Sequence, residues 1–203
     1  MVIHTQLDFL RHGEPVGGRR YRGQSDDPLS EKGWAQMRAA TAEERPWSAI
    51  VSSPLARCSA FAHWLAGETG LPLSFDERLK EVGFGVWEGK TPEDLKREDP
   101  ECVFEFKRDP VGRRPQGAEL LEDFHARATA AYEDILARHA GGQVLVVAHA
   151  GVMRMVICHV LGFPAAHAYR LNIASAGMAR IRVEQKQARR LDTLLWLTRG
   201  PKP

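Results

Sequence analysis

The sequence has few features of a secreted, membrane-bound or disulfide-linked protein. Only three cysteines occur among its 203 residues, an odd number and too few for a disulfide framework. The first residues, MVIHTQLDF, contain neither a basic segment nor a long apolar segment, so no secretory signal is expected. No run of about 18 uncharged apolar residues occurs, so no membrane-spanning segment is expected. These absences favour a cytoplasmic location.

The sequence also lacks the charge excess and the motifs of several other protein classes. A net charge of +2 gives no long-range attraction to nucleic acids or membranes. The basic stretches GRRYRG and QKQARR are interpreted as solvated surfaces, so no nucleic-acid partner is expected. The eight histidines show no His-Glu-x-x-His spacing, so neither a metal nor another cofactor is expected. The GxSxG and GxxxxGK[ST] motifs are absent as well.

The remaining composition is typical of a globular α/β protein. Its 43% hydrophobic fraction supports a buried core, and strand-like runs alternate with helical patterns along the chain. The predicted strands are LDFL, AIVSS, LPLSF, QVLVVAHAG, GMARIRVE and LDTLLWL. This alternation predicts one domain over residues 1–198, built as a three-layer α/β/α sandwich with a mainly parallel central sheet. Residues 199–203 are predicted to form a flexible carboxyl-terminal tail.

Capping residues mark the boundaries of the predicted helices. Ser30 is placed to cap the helix SEKGWAQMRAATAEE, and Pro54 stands at the first helical position of PLARCSAFAHWLAGETG. Thr91 and Asp94 have the spacing of a capping box at the start of TPEDLKRED. The longest periodic segment, AELLEDFHARATAAYEDILARHA, predicts an amphipathic helix, and VMRMVICHVLG predicts another that ends at Gly162.

Chemically reactive residues follow three of the predicted strands. The segments LRHG, SSPLAR and VAHAG place Arg11, His12, Arg57 and His149 at or just beyond strand ends. In open α/β sheets the ligand site lies outside the carboxyl ends of the strands. Each of the two histidines has a glycine one or two residues later, which lets the main chain approach a ligand closely. The three segments are therefore predicted to form one site.

These residue types are suited to phosphoryl transfer through histidine. A neutral imidazole attacks phosphorus and forms a covalent intermediate, so His12 is the candidate nucleophile. Arg11 and Arg57 would bind the phosphate through forked hydrogen bonds and would disfavour the protonated form of His12. His149, either protonated or as a neutral N–H donor, would meet the phosphoryl oxygens in the transition state. Glu81, in LKEVGFGVWEG, is the candidate proton donor to the leaving alkoxide and the base in the hydrolytic step.

The same residues also carry a family resemblance. LRHGEP resembles the signature of the histidine phosphatase superfamily, the phosphoglycerate-mutase-like enzymes, and the blocks DDPLSEKGWAQ, VSSPLARC, LKEVGFGVWEGKTPEDL and VVAHAGVMRMVICHVLG continue the likeness in family order. The resemblance implies a phosphohistidine on His12, a phosphate pocket of Arg11, Arg57 and His149, and Glu81 as proton donor. It also implies a small phosphomonoester as partner, a three-layer α/β/α fold and no metal.

Within the superfamily, the chain most resembles bacterial α-ribazole-5′-phosphate phosphatases, which act in cobalamin nucleotide-loop assembly. The segments that carry this likeness are RHGE, GGRRYRG and DDPLSEKGWAQM. If the substrate is such a benzimidazole riboside, Trp87 or Tyr21 is expected to stack on its base. Broad-specificity phosphatases and phosphoglycerate-mutase-like enzymes share the catalytic residues and are alternatives.

The chain departs from the family pattern in two places. PVGGRRYRG lacks the asparagine that many members carry there, so main-chain N–H groups of Gly17 or Gly18, or a nearby arginine, are expected to replace it. The candidates among the arginines are Arg19, Arg20 and Arg22. Gln24 resembles a polar, phosphate-binding position of the pocket wall. Glu119, in QGAEL, is assigned no role.

Two alternative functions belong to other classes of protein. A non-catalytic, phosphate-binding relative is expected to lack one of the histidines or the acid, and this chain has all of them. The segment from Cys102 to Arg108 has the Cys-x5-Arg spacing of cysteine phosphatases, but it falls within a predicted helix without the glycines of a phosphate loop. The oligomeric state is not predicted.

Overall fold

The central sheet has the strand order β3-β2-β4-β1-β5-β6 in the computed structural model, which describes residues 1–43 and 45–200. The last three residues of the predicted tail, 201–203, lie outside the described residues. The strands are β1 (Ile3–Arg11), β2 (Ala49–Ser52), β3 (Leu73–Phe75), β4 (Gln143–Ala148), β5 (Met178–Lys186) and β6 (Arg189–Leu197). The pairs β1–β4, β2–β4 and β2–β3 are parallel, which confirms the mainly parallel sheet.

Helices connect the parallel strands, as the sequence pattern predicts. The α-helices are α1 (Glu31–Ala40), α2 (Ala56–Thr69), α3 (Pro92–Glu98), α4 (Cys102–Arg108), α5 (Leu121–Arg138) and α6 (Ala150–Leu161). Short 3₁₀ helices span Glu77–Leu79, Gly85–Trp87 and Ala165–Arg170. None of the helices in the described part of the chain is long and apolar enough to cross a membrane.

The predicted caps of two helices are confirmed. The Ser30 hydroxyl accepts a hydrogen bond from the Gly33 N–H at the start of α1, and Thr91 and Asp94 form a capping box at the start of α3. The prediction for Pro54 is wrong, because α2 begins two residues later. Its first N–H, on Ala56, is bound by the Asp26 carboxylate at 2.5 Å, and this long-range partner moves the start of the helix.

Side chains alternate between two cores, one on each face of the sheet. In β4, Val144 and Val146 belong to the core that includes α5 and α6. Leu145 and Val147, between and after them, belong to the core that includes α1 and α2. Because successive strand residues point to opposite faces, this alternation confirms the three-layer α/β/α architecture.

The end of the sheet that carries β5 and β6 is antiparallel. β5 pairs with β1 from Ile3 onward, and β6 completes a hairpin at the edge. This pairing extends β1 well before the predicted LDFL, because residues of low hydrophobicity are held by β5. The two strands were predicted, but their direction was not.

The carboxyl ends of β2, β4 and β1 lie side by side, and the reactive segments follow them. The loop after β1 touches the start of α1 so closely that a Cβ on Gly13 would lie 2.2 Å from the Gly33 carbonyl oxygen. The Ser30 hydroxyl also donates to the Glu14 carbonyl oxygen at 2.8 Å. The glycines and the helix cap together fix the loop that carries His12.

Candidate active site

His12 follows β1 directly, and its imidazole is held in one tautomer. The side chain is 6% exposed, and its Nδ1 lies 2.7 Å from the Gly13 carbonyl oxygen. Because a carbonyl oxygen only accepts hydrogen bonds, Nδ1 carries the proton and Nε2 keeps its lone pair. Burial, and then the cations of Arg11 and Arg57, hold the pKa of His12 well below its ordinary value. The ring is therefore neutral, and the lone pair of Nε2 is available for nucleophilic attack.

His149 lies between β4 and α6, with its ring 5.2 Å from that of His12. It is fully buried, and its Nε2 is hydrogen-bonded to the Ser53 hydroxyl at 2.7 Å. Burial, followed by the charge of Arg57, holds the pKa of His149 well below its ordinary value. Of the two forms considered from the sequence, the neutral N–H donor is favoured.

The two arginines predicted to bind phosphate are fixed by main-chain carbonyl groups. Arg57 is fully buried and donates to Ser25 O at 2.6 Å and to Gly23 O at 2.8 Å. Arg11 donates from Nη1 to Ile173 O at 2.7 Å. The Nε of each arginine is buried and has no hydrogen-bond partner among the described residues. Since buried donors are normally paired, each guanidinium keeps a donor for an anionic ligand.

The Glu81 carboxylate is anchored at the first turn of α6. It is 7% exposed, its Oε2 accepts a hydrogen bond from Gly151 N at 3.1 Å, and its Oε1 accepts one from Val82 N at 3.0 Å. A Cβ on Gly151 would lie 2.1 Å from Glu81 Oε1. The glycine two residues after His149 is therefore required for the carboxylate to lie where it does.

The main chain of Glu81 is held by two further side chains. Gln24 Nε2 donates to Glu81 O at 3.0 Å, and Arg127 Nη2 donates to the same oxygen at 3.1 Å. Arg127 is itself paired with Glu119 at 2.6 Å, which gives Glu119 a structural contact that the sequence did not indicate. Gln24 is not among the residues that line the cavity. The contact of its amide helps to position Glu81, and its predicted role in phosphate binding stays a prediction.

Arg11, His12 and Glu81 open into a cavity of about 510 Å³, a volume typical of sites for small ligands. The rest of its wall comes from the loop after β1, from α4, from α6 and from the segment before β5. The lining includes Glu14, Arg19, Arg20, Tyr21, Arg22, Phe84, Lys107, Arg154, Tyr169, Asn172 and Ser175. Arg57 and His149 are not part of this wall, being fully buried. Among residues 1–43 and 45–200, no cluster of three metal-binding side chains is found.

The loop after β1 contributes Arg19, Arg20 and Arg22 to the cavity wall. Arg22 is buried, pairs with Asp27 at 2.5 Å and donates to Val16 O at 2.5 Å, so it orders the loop from within. Tyr21 lines the cavity and packs edge-on against Trp87, whose ring lies 5.0 Å away and does not reach the wall. Of the two aromatic candidates for stacking on a base, only Tyr21 lines the cavity.

Sequence reasoning did not identify Lys107, Arg154 or Tyr169 as cavity residues. Lys107 lies in CVFEFKR, which forms helix α4 as predicted, so the Cys-x5-Arg spacing there is not a phosphate loop. A basic residue on a short helix has the pattern of a solvated surface. Arg154 did offer a signal, because it is the only Asp, Glu, Lys or Arg residue in the apolar helix α6.

Comparison with known proteins agrees with this geometry. Residues 7–194 match the histidine phosphatase superfamily (branch 1). The chain belongs to this superfamily. Membership and the phosphatases among its structural neighbours support phosphatase activity.

The relatives of this histidine phosphatase are named for different activities. It is 32% identical over 200 residues to a probable phosphoglycerate mutase GpmB of Shigella boydii, covering 96% of this chain and 89% of that protein. The mycobacterial glucosyl-3-phosphoglycerate phosphatase Rv2419c is 30% identical, with a TM-score of 0.79 over 89% of this chain and 91% of that one. A putative alpha-ribazole-5′-P phosphatase of Escherichia coli is 24% identical, with a TM-score of 0.78 over 98% of each chain, and shows the common fold.

Proposed function

We propose that the protein hydrolyses phosphomonoesters in two steps through a phosphohistidine on Nε2 of His12. The observation that carries the proposal is the hydrogen bond between His12 Nδ1 and Gly13 O at 2.7 Å. This bond leaves Nε2 unprotonated, and burial, with the neighbouring arginine cations, lowers the pKa of the ring and keeps it neutral. Few structural roles require a buried, neutral histidine surrounded by guanidiniums, whereas attack on phosphorus does.

In the first step, Nε2 attacks phosphorus and the bond between phosphorus and the ester oxygen breaks. Arg11 and Arg57 bind the phosphoryl oxygens, and His149 donates to them as charge redistributes. Glu81, in its protonated form, gives its proton to the departing oxygen, and the alcohol leaves. The Nδ1–H bond to Gly13 O strengthens as His12 gains positive charge.

In the second step, water attacks the phosphohistidine and the bond between nitrogen and phosphorus breaks. Glu81, now a carboxylate, accepts the proton of the attacking water, which returns it to its starting form. Inorganic phosphate leaves, and His12 is again neutral. The contacts of Glu81 with Gly151 and Val82 hold its oxygens in place for both proton transfers.

For the substrate, we propose α-ribazole 5′-phosphate as the first candidate, with a role in cobalamin nucleotide-loop assembly. The sequence resemblance around the loop after β1 supports it, and Tyr21 provides an aromatic face on the cavity wall. The broad-specificity alternative shares the same catalytic groups. We also propose a cytoplasmic location, which the three free cysteines support.

The test is phosphate release in the presence of EDTA from α-ribazole 5′-phosphate, p-nitrophenyl phosphate, 3-phosphoglycerate, AMP and sugar phosphates. Rapid acid-free quenching after mixing with ³²P-labelled substrate should trap label on His12, in a form that is stable to base and labile to acid. His12→Ala should abolish labelling and lower kcat/KM by about 10⁴-fold or more. Turnover that survives in His12→Ala, or that disappears with EDTA in the wild type, would contradict the mechanism.

A further inference from the structure

The carboxylate of Glu88 is the centre of a hydrogen-bond network that the hydrolytic steps do not use. Its Oε2 accepts hydrogen bonds from Gly23 N and from Ser25 Oγ, both at 2.9 Å. Its Oε1 accepts one from Gln24 N at 3.2 Å. Consecutive residues that direct their donors at one anion form a concave anion site in the main chain. We call residues 23–25 the anchored loop, because Glu88 binds each of them.

The contact between Glu88 and the anchored loop is close, and the carboxylate is held in its ionised form. A Cβ on Gly23 would lie 2.1 Å from Glu88 Oε1 and 2.3 Å from Val82 O, so no larger residue fits there. Phe84 N also donates to Oε1, at 2.8 Å. Burial raises the pKa of Glu88, but the hydrogen bonds from Phe84, Gly23 and Ser25 outweigh it and hold the pKa below its ordinary value.

The anchored loop in turn holds Arg57. The Arg57 guanidinium donates from Nη2 to Gly23 O at 2.8 Å and from Nη1 to Ser25 O at 2.6 Å. It has no other hydrogen-bond partner within the described residues. Asp26, the next residue of the chain, accepts a hydrogen bond from Ala56 N at 2.5 Å and so fixes the first turn of α2, where Arg57 lies. Both the side chain and the main chain of Arg57 are therefore placed by this stretch of the chain.

Glu81 depends less on the anchored loop than Arg57 does. Gln24 Nε2 donates to Glu81 O, but Arg127 Nη2 donates to the same oxygen. The Glu81 carboxylate is held separately, by two main-chain N–H groups outside the loop. A shift of the loop should therefore move Arg57 and leave the proposed proton donor nearly where it is.

Glu88 does not contact the substrate itself. It is not among the residues that line the cavity, and both of its oxygens are occupied by the anchored loop and Phe84. We propose that Glu88 is a positioning residue, whose carboxylate places the Arg57 guanidinium for phosphate binding by fixing the anchored loop. The inference rests on the proposed function, because Arg57 is a phosphate ligand only within that proposal.

The first test is Glu88→Gln. The amide nitrogen of glutamine is a donor, so one side of the new group would face main-chain donors that the carboxylate now accepts. We expect the Kd of inorganic phosphate, measured by calorimetry, to rise by about 10-fold. We also expect kcat/KM to fall by about 10- to 100-fold, and equally for glycerol 3-phosphate and p-nitrophenyl phosphate. The equal loss distinguishes a displaced phosphate ligand from a displaced proton donor.

A double-mutant cycle with Arg57→Lys assigns the effect to Arg57. A lysine ammonium lacks the planar fork that two carbonyl groups hold, so its position no longer follows the anchored loop. After Arg57→Lys, the further change Glu88→Gln should raise the Kd of phosphate by about 2-fold or less, against about 10-fold in the wild-type background. A role of Glu88 in stability alone would not produce this dependence.

A second variant and a control separate positioning from a loss of fold. Ser25→Ala removes one hydrogen bond to Glu88 and keeps the carbonyl group that binds Arg57. It should raise the Kd of phosphate by about 3-fold. Asp192→Asn is the matched control, because that carboxylate of β6 also accepts hydrogen bonds, from Tyr132 and from an arginine. It should lower the free energy of unfolding and leave phosphate affinity unchanged.

Three outcomes would overturn the positioning role of Glu88. Phosphate affinity could stay at the wild-type value in Glu88→Gln or, if that variant does not fold, in Ser25→Ala. The effects of Glu88→Gln and Arg57→Lys could add, so that Glu88 acts by another route. Asp192→Asn could weaken phosphate binding as much as Glu88→Gln does, so that general destabilisation explains the loss.

The same measurements separate this inference from the proposal on which it rests. If the wild type binds phosphate and labels His12 but Glu88→Gln behaves like it, the positioning role is wrong and the phosphatase proposal stands. If the loss in Glu88→Gln is confined to glycerol 3-phosphate, Glu88 acts on Glu81 and the assignment to Arg57 is wrong. If the wild type neither binds phosphate nor labels His12, both proposals are wrong.

Discussion

The inner and outer parts of the cavity are built in different ways. In the inner part, His12 and Glu81 are buried and fixed by hydrogen bonds to the main chain, as is Arg57 behind the cavity wall. In the outer part, Arg19 and Lys107 are exposed and have no such bonds to described residues. The groups proposed to react are therefore fixed before substrate binds, whereas the side chains of the outer wall are free to adjust to it.

The origin of the two parts in the chain explains the difference. His12, Arg57 and His149 follow β1, β2 and β4, three adjacent strands whose register is fixed by the sheet, and Glu81 follows the 3₁₀ helix Glu77–Leu79. The outer residues come from the loop after β1, from α4, from α6 and from the segment before β5. Residues at strand ends inherit the rigidity of the sheet, and residues on loops are free to differ between enzymes that share one chemistry.

The largest expected effect comes from the carboxyl group of the inner part. Glu81→Gln removes the proton donor, so kcat/KM for glycerol 3-phosphate should fall by about 10³-fold. The loss for p-nitrophenyl phosphate should be about 10-fold or less, because its leaving group departs without a proton. Glu14→Gln changes another carboxylate of the cavity wall, one that is paired with Lys32, and should affect both substrates equally and slightly. Equal losses for both substrates in Glu81→Gln would show that another group is the acid.

A smaller effect should follow from displacing that carboxyl group without removing it. In Gly151→Ala the new Cβ would lie 2.1 Å from Glu81 Oε1, so kcat/KM for alkyl phosphates should fall by about 10- to 100-fold. Gly67→Ala is the matched control, because Gly67 lies within α2 with no atom within 4 Å of the added carbon. It should raise the free energy of unfolding by about 0.5–1 kcal/mol and leave activity as it is. Full activity in Gly151→Ala would mean that the position of Glu81 is not critical.

The smallest effect concerns stability rather than rate. His12 and His149 stay neutral in the folded state because burial and arginine charges lower their pKa values. In the unfolded state they bind protons below about pH 6.5. The unfolded state then holds more protons, so the free energy of unfolding is unaffected above pH 6.5 and falls as the pH decreases below it. The loss is about 1.4 kcal/mol per pH unit for each histidine until its folded pKa is reached.

Urea denaturation between pH 7 and pH 5 measures this effect. The two histidines together cause part of the fall in the free energy of unfolding as the pH decreases. His12→Gln should remove about half of that part. His63→Gln, at an exposed position of α2, should keep the wild-type decline. An unchanged decline in His12→Gln would show that this ring is protonated in the folded protein.

Local patterns were sufficient to predict most of the fold. The alternation of strands and helices, the capping box at Thr91 and the buried strand β4 depend on neighbours in sequence, and the structure confirms them. The start of α2 depends on Asp26, thirty residues earlier. The length of β1 and the direction of β5 depend on pairing across the whole chain. Such long-range partners leave no periodic signal in the sequence.

The residues of the candidate site also differ in whether local sequence patterns predict them. His12 and His149 stand out because reactive residues beside glycine at strand ends are unusual, and the structure brings their rings within 5.2 Å. Lys107 does not stand out, because a lysine on a short helix is usually solvated. Only the packing of α4 against the 3₁₀ helix Ala165–Arg170, through Phe106 and Tyr169, places it in the cavity. Gln24 is assigned to the phosphate from resemblance, and the structure adds a contact of its amide with Glu81 O that the sequence does not indicate.

The segment before β5 connects the two parts of the cavity through its main chain. Leu171 O binds Arg154, and Ile173 O, two residues later, binds Arg11. The separation between these guanidiniums is therefore set by backbone geometry rather than by side-chain rotamers. Inserting or deleting a residue between Leu171 and Ile173 should therefore move Arg154 relative to Arg11, while the contacts of His12 with Gly13 and of Glu81 with Gly151 are kept.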